Sequence, residues 1–300
     1  MLQFLPAPLL GTISILLHVI NTVIGFIILI PIALVKILIP VRQVRNLSTK
    51  LAIFVADTWL YLNNVIVAFT KDIEWDIQFS GDDLEKQSWY LIISNHQTWN
   101  DILVMMKVFH NRVPFLRYFL KKELIWVPLL GPVWWLLDFP FMQRYSKELI
   151  KKKPHLAGRD IQETRKACEK YRDMPVSIMN FVEGTRFSWE KHESQQSPYR
   201  NLLKPRAGGI SFVLDAMGEL ITHIVDMTIY YPEGSKSFWD FHAGNVRQVV
   251  VRVHVFPVPD ELRGDYQNDP EYSERFREWL NGLWRSKDAF LDELDRTRGA

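Results

Sequence analysis

Residues 4–35 contain no Asp, Glu, Lys or Arg. As one helix this run of 32 residues would be about 48 Å long, against a hydrocarbon core of about 30 Å. It is too long for one upright span and too short for two full ones. Pro31 and Pro40 offer places to kink. No basic segment precedes the run, and it exceeds the apolar core of a secretion signal, so a cleaved signal is not expected. Lys36, Arg42, Arg45 and Lys50 all follow it. The positive-inside rule then puts the rest of the chain in the cytoplasm.

A second apolar stretch, 51–70, is interrupted by Asp57, Asn63 and Asn64. A carboxylate at the centre of a spanning helix costs a few kcal/mol. An interfacial or re-entrant helix partnering the first is therefore the expectation. Residues 1–72 read as a membrane-embedded or interfacial element, and 73–300 as a separate α/β domain. Strands are expected at 73–79, 89–94, 176–182, 221–231 and 249–256, and helices at 101–109, 159–171, 209–217 and 270–294. Strands mixed with helices argue for a sheet covered by helices. In the last helix Phe276, Trp279, Leu280, Leu283 and Trp284 share a face, which is a packing pattern.

Composition excludes several classes. The net charge is +2, and no basic block interleaved with aromatics appears, so no nucleic-acid partner is expected. The single cysteine, Cys168, permits no intramolecular disulfide, which fits a reducing compartment.

The chemistry-bearing stretch is WYLIISNHQTWND at 89–101. A short buried-strand pattern ends at Ser94, His96 stands just past it, and Asn100 and Asp101 open a helical pattern. Histidine titrates near neutral pH and is the usual general base, while a carboxylate beside it fixes the tautomer and stabilises the imidazolium. Five residues on one helix lie about 140° apart. His96 and Asp101 can therefore meet only if the histidine precedes the helix. The spacing alone is weak, since His155 and Asp160 repeat it after a lysine run, where a solvated loop is expected. A second motif adds weight: the strand pattern at 176–182 runs into Glu183-Gly184-Thr185-Arg186.

Together these motifs resemble the glycerolipid acyltransferase family, which includes 1-acylglycerol-3-phosphate acyltransferases. NHxxxxD at 95–101, FLKKEL at 119–124, FMQR at 141–144 and FVEGTR at 181–186 occur in the family's order and spacing. The segment 187–206 is also similar to the branch with eukaryotic lysophosphatidic and lysocardiolipin acyltransferases, and to its bacterial inner-membrane paralogue. Two departures stand out. Val182 replaces a usual proline, and only Tyr230-Tyr231-Pro232 resembles the later hydrophobic-proline motif.

The resemblance implies a sheet flanked by helices with an N-terminal membrane-attached helical element. It implies acyl transfer from a thioester, acyl-CoA or acyl-acyl carrier protein, to the sn-2 hydroxyl of 1-acylglycerol 3-phosphate. His96 would be the base and Asp101 its orienter. Arg186 would bind the acceptor phosphate, with Thr185 beside it and Glu183 and Gly184 shaping the site. Lys121 and Arg144 match further positions linked to the phosphate. Neither a metal nor an acyl-enzyme is required, and Cys168 is given no role. Membrane lipids are expected partners, and the bacterial inner membrane, cytoplasmic side, the expected location. The apolar block 125–142 reads as a membrane-contacting wall and part of an acyl-chain channel, or as ordinary core. A larger acceptor head group, as in lysophosphatidylglycerol or lysocardiolipin, stays open as an alternative, as does an inactive lipid-binding scaffold.

Overall fold

The computed structural model describes residues 2, 4–142 and 159–298. The charge-free run becomes one helix, α1 (Ala7–Leu38), and the second stretch begins earlier than expected, as α2 (Arg42–Thr70). Pro31 lies inside α1, which continues past it without the one backbone donor that proline lacks. Pro40 instead falls in the three-residue turn between the helices. Asn63, one of the residues that interrupt the second apolar stretch, is paired across this hairpin. Asn21 donates to the Asn63 side-chain oxygen at 2.8 Å and to the Trp59 carbonyl at 3.1 Å. Both helices are long and apolar enough to cross a membrane, and each exposes large apolar side chains, Ile27 at 61% and Phe54 at 70%.

The hairpin's other face is fastened to the rest of the chain at both ends. Near the turn, Lys36 donates to the Leu136 carbonyl at 2.8 Å and to Asp138 at 3.1 Å. At the far end, Lys71 donates to the Ser14 hydroxyl at 2.6 Å, and the same hydroxyl meets His242 Nδ1 at 2.9 Å. Burial pushes the Lys71 ammonium down to about 7. Above that value the unfolded chain holds a proton that the native protein has shed. Stability should therefore rise with pH up to the unfolded lysine value. Between pH 7 and 9.5 the expected gain is roughly 3 kcal/mol. Thermal unfolding in detergent should show this slope in the wild type and its loss in Lys71→Met; an unchanged slope in the variant would refute the assignment.

The sheet is built from β1 (Glu74–Gly81), β2 (Tyr90–Ser94), β3 (Leu116–Arg117), β6 (Ser177–Phe181), β7 (His223–Tyr230) and β8 (Gln248–Pro257). Two further short strands, β4 (Leu120–Lys121) and β5 (Phe141–Met142), pair separately. The order across the main sheet is β1-β8-β7-β2-β6-β3, with β2 central and parallel to both β7 and β6. The β7–β8 pair is antiparallel, and β1 lies parallel to β8.

Every residue of β2 is buried, because the sheet is covered on both faces. Leu91 and Ile93 pack with α5 (Arg159–Cys168), α7 (Ala207–Met217) and α9 (Pro270–Arg298). Tyr90 and Ile92, one pleat out of phase, pack against α3 (Asp101–Phe109). The expected strands and helices all form, with ends moved by a few residues. Phe276, Leu280 and Trp284 of α9 are core residues, as their periodicity implies. The block 125–142 breaks into a 3-10 turn, the short helix α4 (Leu130–Leu136) and β5. Its three prolines and glycine make a longer helix unfavourable. Of the second His-x4-Asp pair, Asp160 lies in α5 rather than in a loop, and His155 is outside the described residues.

Candidate active site

The site forms where two neighbouring parallel strands end. Ser94 of β2 is in register with Phe181 of β6, so the histidine loop and the Glu183–Arg186 segment leave the same edge of the sheet. This carboxyl edge is where open α/β sheets bind ligands. Asn95 fixes the exit from β2, its side-chain amide donating to the Ile229 carbonyl and accepting from the Ile229 N–H, both at 2.9 Å. The chain then turns back through 97–100 into α3, bringing His96 beside Asp101.

Asp101 is fully buried and its two oxygens are unequally engaged. One accepts from His96 Nδ1 at 2.8 Å, from the Gln97 N–H at 2.6 Å and from the Thr98 N–H at 3.0 Å. The other accepts from the Tyr231 hydroxyl at 2.8 Å. With the carboxylate ionised, this network assigns the ring proton to Nδ1 and leaves Nε2 with its lone pair. The ring stacks on Phe181 with centroids 3.8 Å apart, and 12% of the His96 side chain stays accessible.

The second motif lies against the first. The Phe187 N–H donates to the His96 carbonyl at 2.7 Å, tying the two loops together. Arg186 holds its guanidinium 4.4 Å from the Trp99 ring centroid, a cation–π contact on a half-exposed indole. Lys191 supports the segment from α6 (Trp189–Gln195), donating to the Thr185 hydroxyl and the Arg186 carbonyl, both at 2.9 Å. Gly184 has φ +69, a left-handed backbone that favours glycine, and a Cβ there would stand 3.2 Å from the Arg206 side chain. Glu183 is buried, and neither of its oxygens has a well-formed hydrogen bond. Burial pushes its carboxyl up to about 8, while the nearby backbone of Leu203 and His96 opposes that shift only in part.

The structure thus brings His96, Asp101, Glu183, Gly184, Thr185 and Arg186 together. Lys121 stands exposed on β4, joined by backbone pairing to β5 rather than to the histidine loop. Arg144 lies outside the described residues. Sequence reasoning missed Tyr231, Trp99 and Lys191 as parts of the site. The Tyr-Tyr-Pro run was its only signal for Tyr231, as a poorly kept motif.

An apolar cavity of about 270 Å³ lies between the helical hairpin and α3. Ile102 and Met106 of α3 line it, with Phe26 of α1, Trp59 of α2, and Trp134 and Phe139 from the 125–142 block. Ile102 is the lining residue nearest in sequence to the histidine loop, and the cavity lies between α3, the helical hairpin and the 125–142 block.

Fold and site together define an α/β protein with an apolar helical hairpin and a histidine–carboxylate pair beside an arginine. The family model described as Acyltransferase matches residues 76–258, and the chain belongs to that family. It is similar to 1-acyl-sn-glycerol-3-phosphate acyltransferase delta of Mus musculus, 24% identical over 187 residues, which cover 59% of this chain and 45% of that one. It is also similar to 1-acyl-sn-glycerol-3-phosphate acyltransferase 3 of Arabidopsis thaliana, 25% identical over 219 residues, covering 68% of this chain and 53% of the other. The chain spans about half the length of these curated relatives. Among solved structures, it is similar to the 1-acyl-sn-glycerophosphate (LPA) acyltransferase PlsC from Thermotoga maritima. That similarity has a TM-score of 0.49 at 13% identity, over 94% of this chain and 98% of that one.

Proposed function

We propose that the protein transfers an acyl group from a thioester, acyl-CoA or acyl-acyl carrier protein, to the sn-2 hydroxyl of 1-acyl-sn-glycerol 3-phosphate. The observation that carries this reading is the His96–Asp101 pair with its free Nε2, on a loop tied by the Phe187 N–H to the segment that carries Arg186. His96 Nε2 takes the hydroxyl proton as the oxygen attacks the thioester carbonyl. The C–O bond forms and the tetrahedral intermediate collapses with loss of the C–S bond. The proton on His96 then passes to the departing thiolate. Asp101 holds the ring and stabilises its protonated form between these steps.

Arg186, partly buried over the half-exposed Trp99, offers its guanidinium edge to the acceptor phosphate. Lys121 and Arg144 remain further phosphate contacts on the family resemblance alone. The cavity along α3 accommodates acyl chain. In this arrangement residues 1–72 attach the protein to the membrane and 73–300 form the catalytic domain. Because the hairpin is tied to that domain at Lys36 and again at Ser14, an interfacial attachment on the cytoplasmic side suits it better than an upright crossing.

The test is acyl transfer by detergent-purified protein with oleoyl-CoA or acyl-acyl carrier protein as donor. Lysophosphatidic acid, lysophosphatidylglycerol, lysocardiolipin and glycerol 3-phosphate are offered in parallel, and products are read by mass spectrometry. Phosphatidic acid as the main product is expected. Transfer only to larger lysolipids would keep the mechanism and overturn the acceptor; no transfer from either donor would favour a lipid-binding scaffold. Arg186→Ala should raise KM for lysophosphatidic acid about 10- to 100-fold with a smaller effect on kcat, the cost of a lost charge-assisted bond. An unchanged KM would remove Arg186 from the phosphate site.

A further inference from the structure

We infer that Tyr231 is a positioning residue of the reaction, a third member behind His96 and Asp101 that holds the carboxylate in its working orientation. The inference rests on the proposed base role of His96. Tyr231 lies immediately past β7, where the chain leaves the sheet beside β2, and its side chain is 3% exposed. Its hydroxyl donates to the Asp101 oxygen that does not face His96, at 2.8 Å. Without that donor, one oxygen of a fully buried carboxylate would have no partner. The phenol is also well placed to persist as a donor, since burial and the neighbouring Asp101 carboxylate both push its ionisation far above the usual tyrosine range.

The arrangement divides the work on Asp101 between two strand ends. The β2 loop supplies the His96, Gln97 and Thr98 donors to one oxygen, and the β7 end supplies Tyr231 to the other. Asn95, bonded to both backbone groups of Ile229, keeps those strand ends in register, so the phenol meets the carboxylate at a fixed distance. Removing the hydroxyl concentrates the carboxylate charge on the oxygen facing His96. The imidazole should then hold its proton to higher pH, and the base should be in its active form over a narrower range. The other ionisable groups around the pair are Glu183 past β6, with Lys287 of α9 acting on it from behind, and Arg186 over Trp99.

The test compares Tyr231→Phe with Tyr230→Phe in the purified full chain. Tyr230 bonds to Asp295 and not to Asp101, so it controls for loss of a buried phenol hydroxyl from the same strand end. For Tyr231→Phe the expected result is a fall in kcat of about 10- to 100-fold, the effect of one unpaired buried polar group. KM for the lysolipid should stay within about twofold, and the acid limb of the rate profile should move to higher pH. Tyr230→Phe should leave kcat and the pH profile unchanged. An acid limb that does not move in Tyr231→Phe would overturn the inference, even if kcat fell. Histidine labelled with nitrogen-15 gives a readout independent of turnover. His96 should be Nδ1-protonated in the wild type and should titrate at higher pH in Tyr231→Phe. If the wild type transferred no acyl group, the reaction assignment would fall, while an unmoved His96 titration would separately dispose of the Tyr231 role.

Discussion

His96→Ala should lower kcat for acyl transfer by about 10³- to 10⁴-fold, the upper end of what a positioned general base contributes. KM for either substrate should change little, because the imidazole meets the reacting hydroxyl and not the phosphate or the acyl chain. More than a tenth of wild-type activity in a folded His96→Ala protein would end its assignment as the base. Asp101→Asn should be milder, and the reason lies in its partners. In hydrolases where an Asp orients the catalytic histidine, the change to Asn costs about 10⁴ because the wrong imidazole tautomer is selected. Here two backbone N–H groups, of Gln97 and Thr98, point at the oxygen that also receives His96. They force an asparagine to place its carbonyl oxygen there and to turn its NH2 toward the Tyr231 hydroxyl, which can accept. The tautomer is preserved and only the charge is lost. A fall of about 10²-fold is therefore expected, within the range for an electrostatic partner acting through the base. If Asp101→Asn proved as inactive as His96→Ala, the backbone donors would not be controlling the amide.

Much of this site was legible because its parts are local in sequence. A buried strand followed by a histidine, a four-residue loop and a helix-opening aspartate can be read from one stretch, and the pairing obeys the constraint that His96 precede α3. The strand pattern before Glu183 was equally plain, since the run 176–179, with Phe181 and Val182 after Asn180, is a short, largely apolar segment bounded by polar stretches, as a buried strand is. What was illegible depends on long-range register. Tyr231 reaches Asp101 across 130 residues, and no local periodicity marks one tyrosine of an adjacent pair as the inward one. Nothing in the sequence marks Trp99 as the partner of Arg186, whose guanidinium lies over its ring. The short pairs β3, β4 and β5, two residues each, fall below any pattern that a sequence carries. The hairpin was legible in composition but not in extent. α2 starts nine residues before its apolar stretch because Arg42, Gln43 and Arg45 are good helix formers on an exposed first turn.

Glu183→Gln should leave the enzyme active at pH 7, within about tenfold of the wild type, while Glu183→Ala should not. The carboxyl sits buried behind the histidine loop, at about 8, and is therefore neutral at pH 7. Glutamine supplies a neutral side chain of the same shape, whereas alanine removes support from beneath Gly184 and leaves a cavity. The sign of the pH effect follows from the direction of the shift. A carboxyl raised above its unfolded value keeps a proton in the native state that the unfolded chain has lost. Its stabilising contribution is full below the unfolded value and disappears as pH rises toward 8. The Glu183 contribution to wild-type stability should thus decline through this interval, and the glutamine variant should lack that decline. Between pH 5 and 8 the difference in unfolding free energy should move in favour of Glu183→Gln by on the order of 3 kcal/mol. Chemical unfolding in detergent at the two pH values measures it. A folded Glu183→Gln protein without activity at pH 7 would mean that the ionised carboxylate takes part in the reaction. Glu183 would then be a charged partner for the acceptor rather than a neutral support of the loop that carries Arg186.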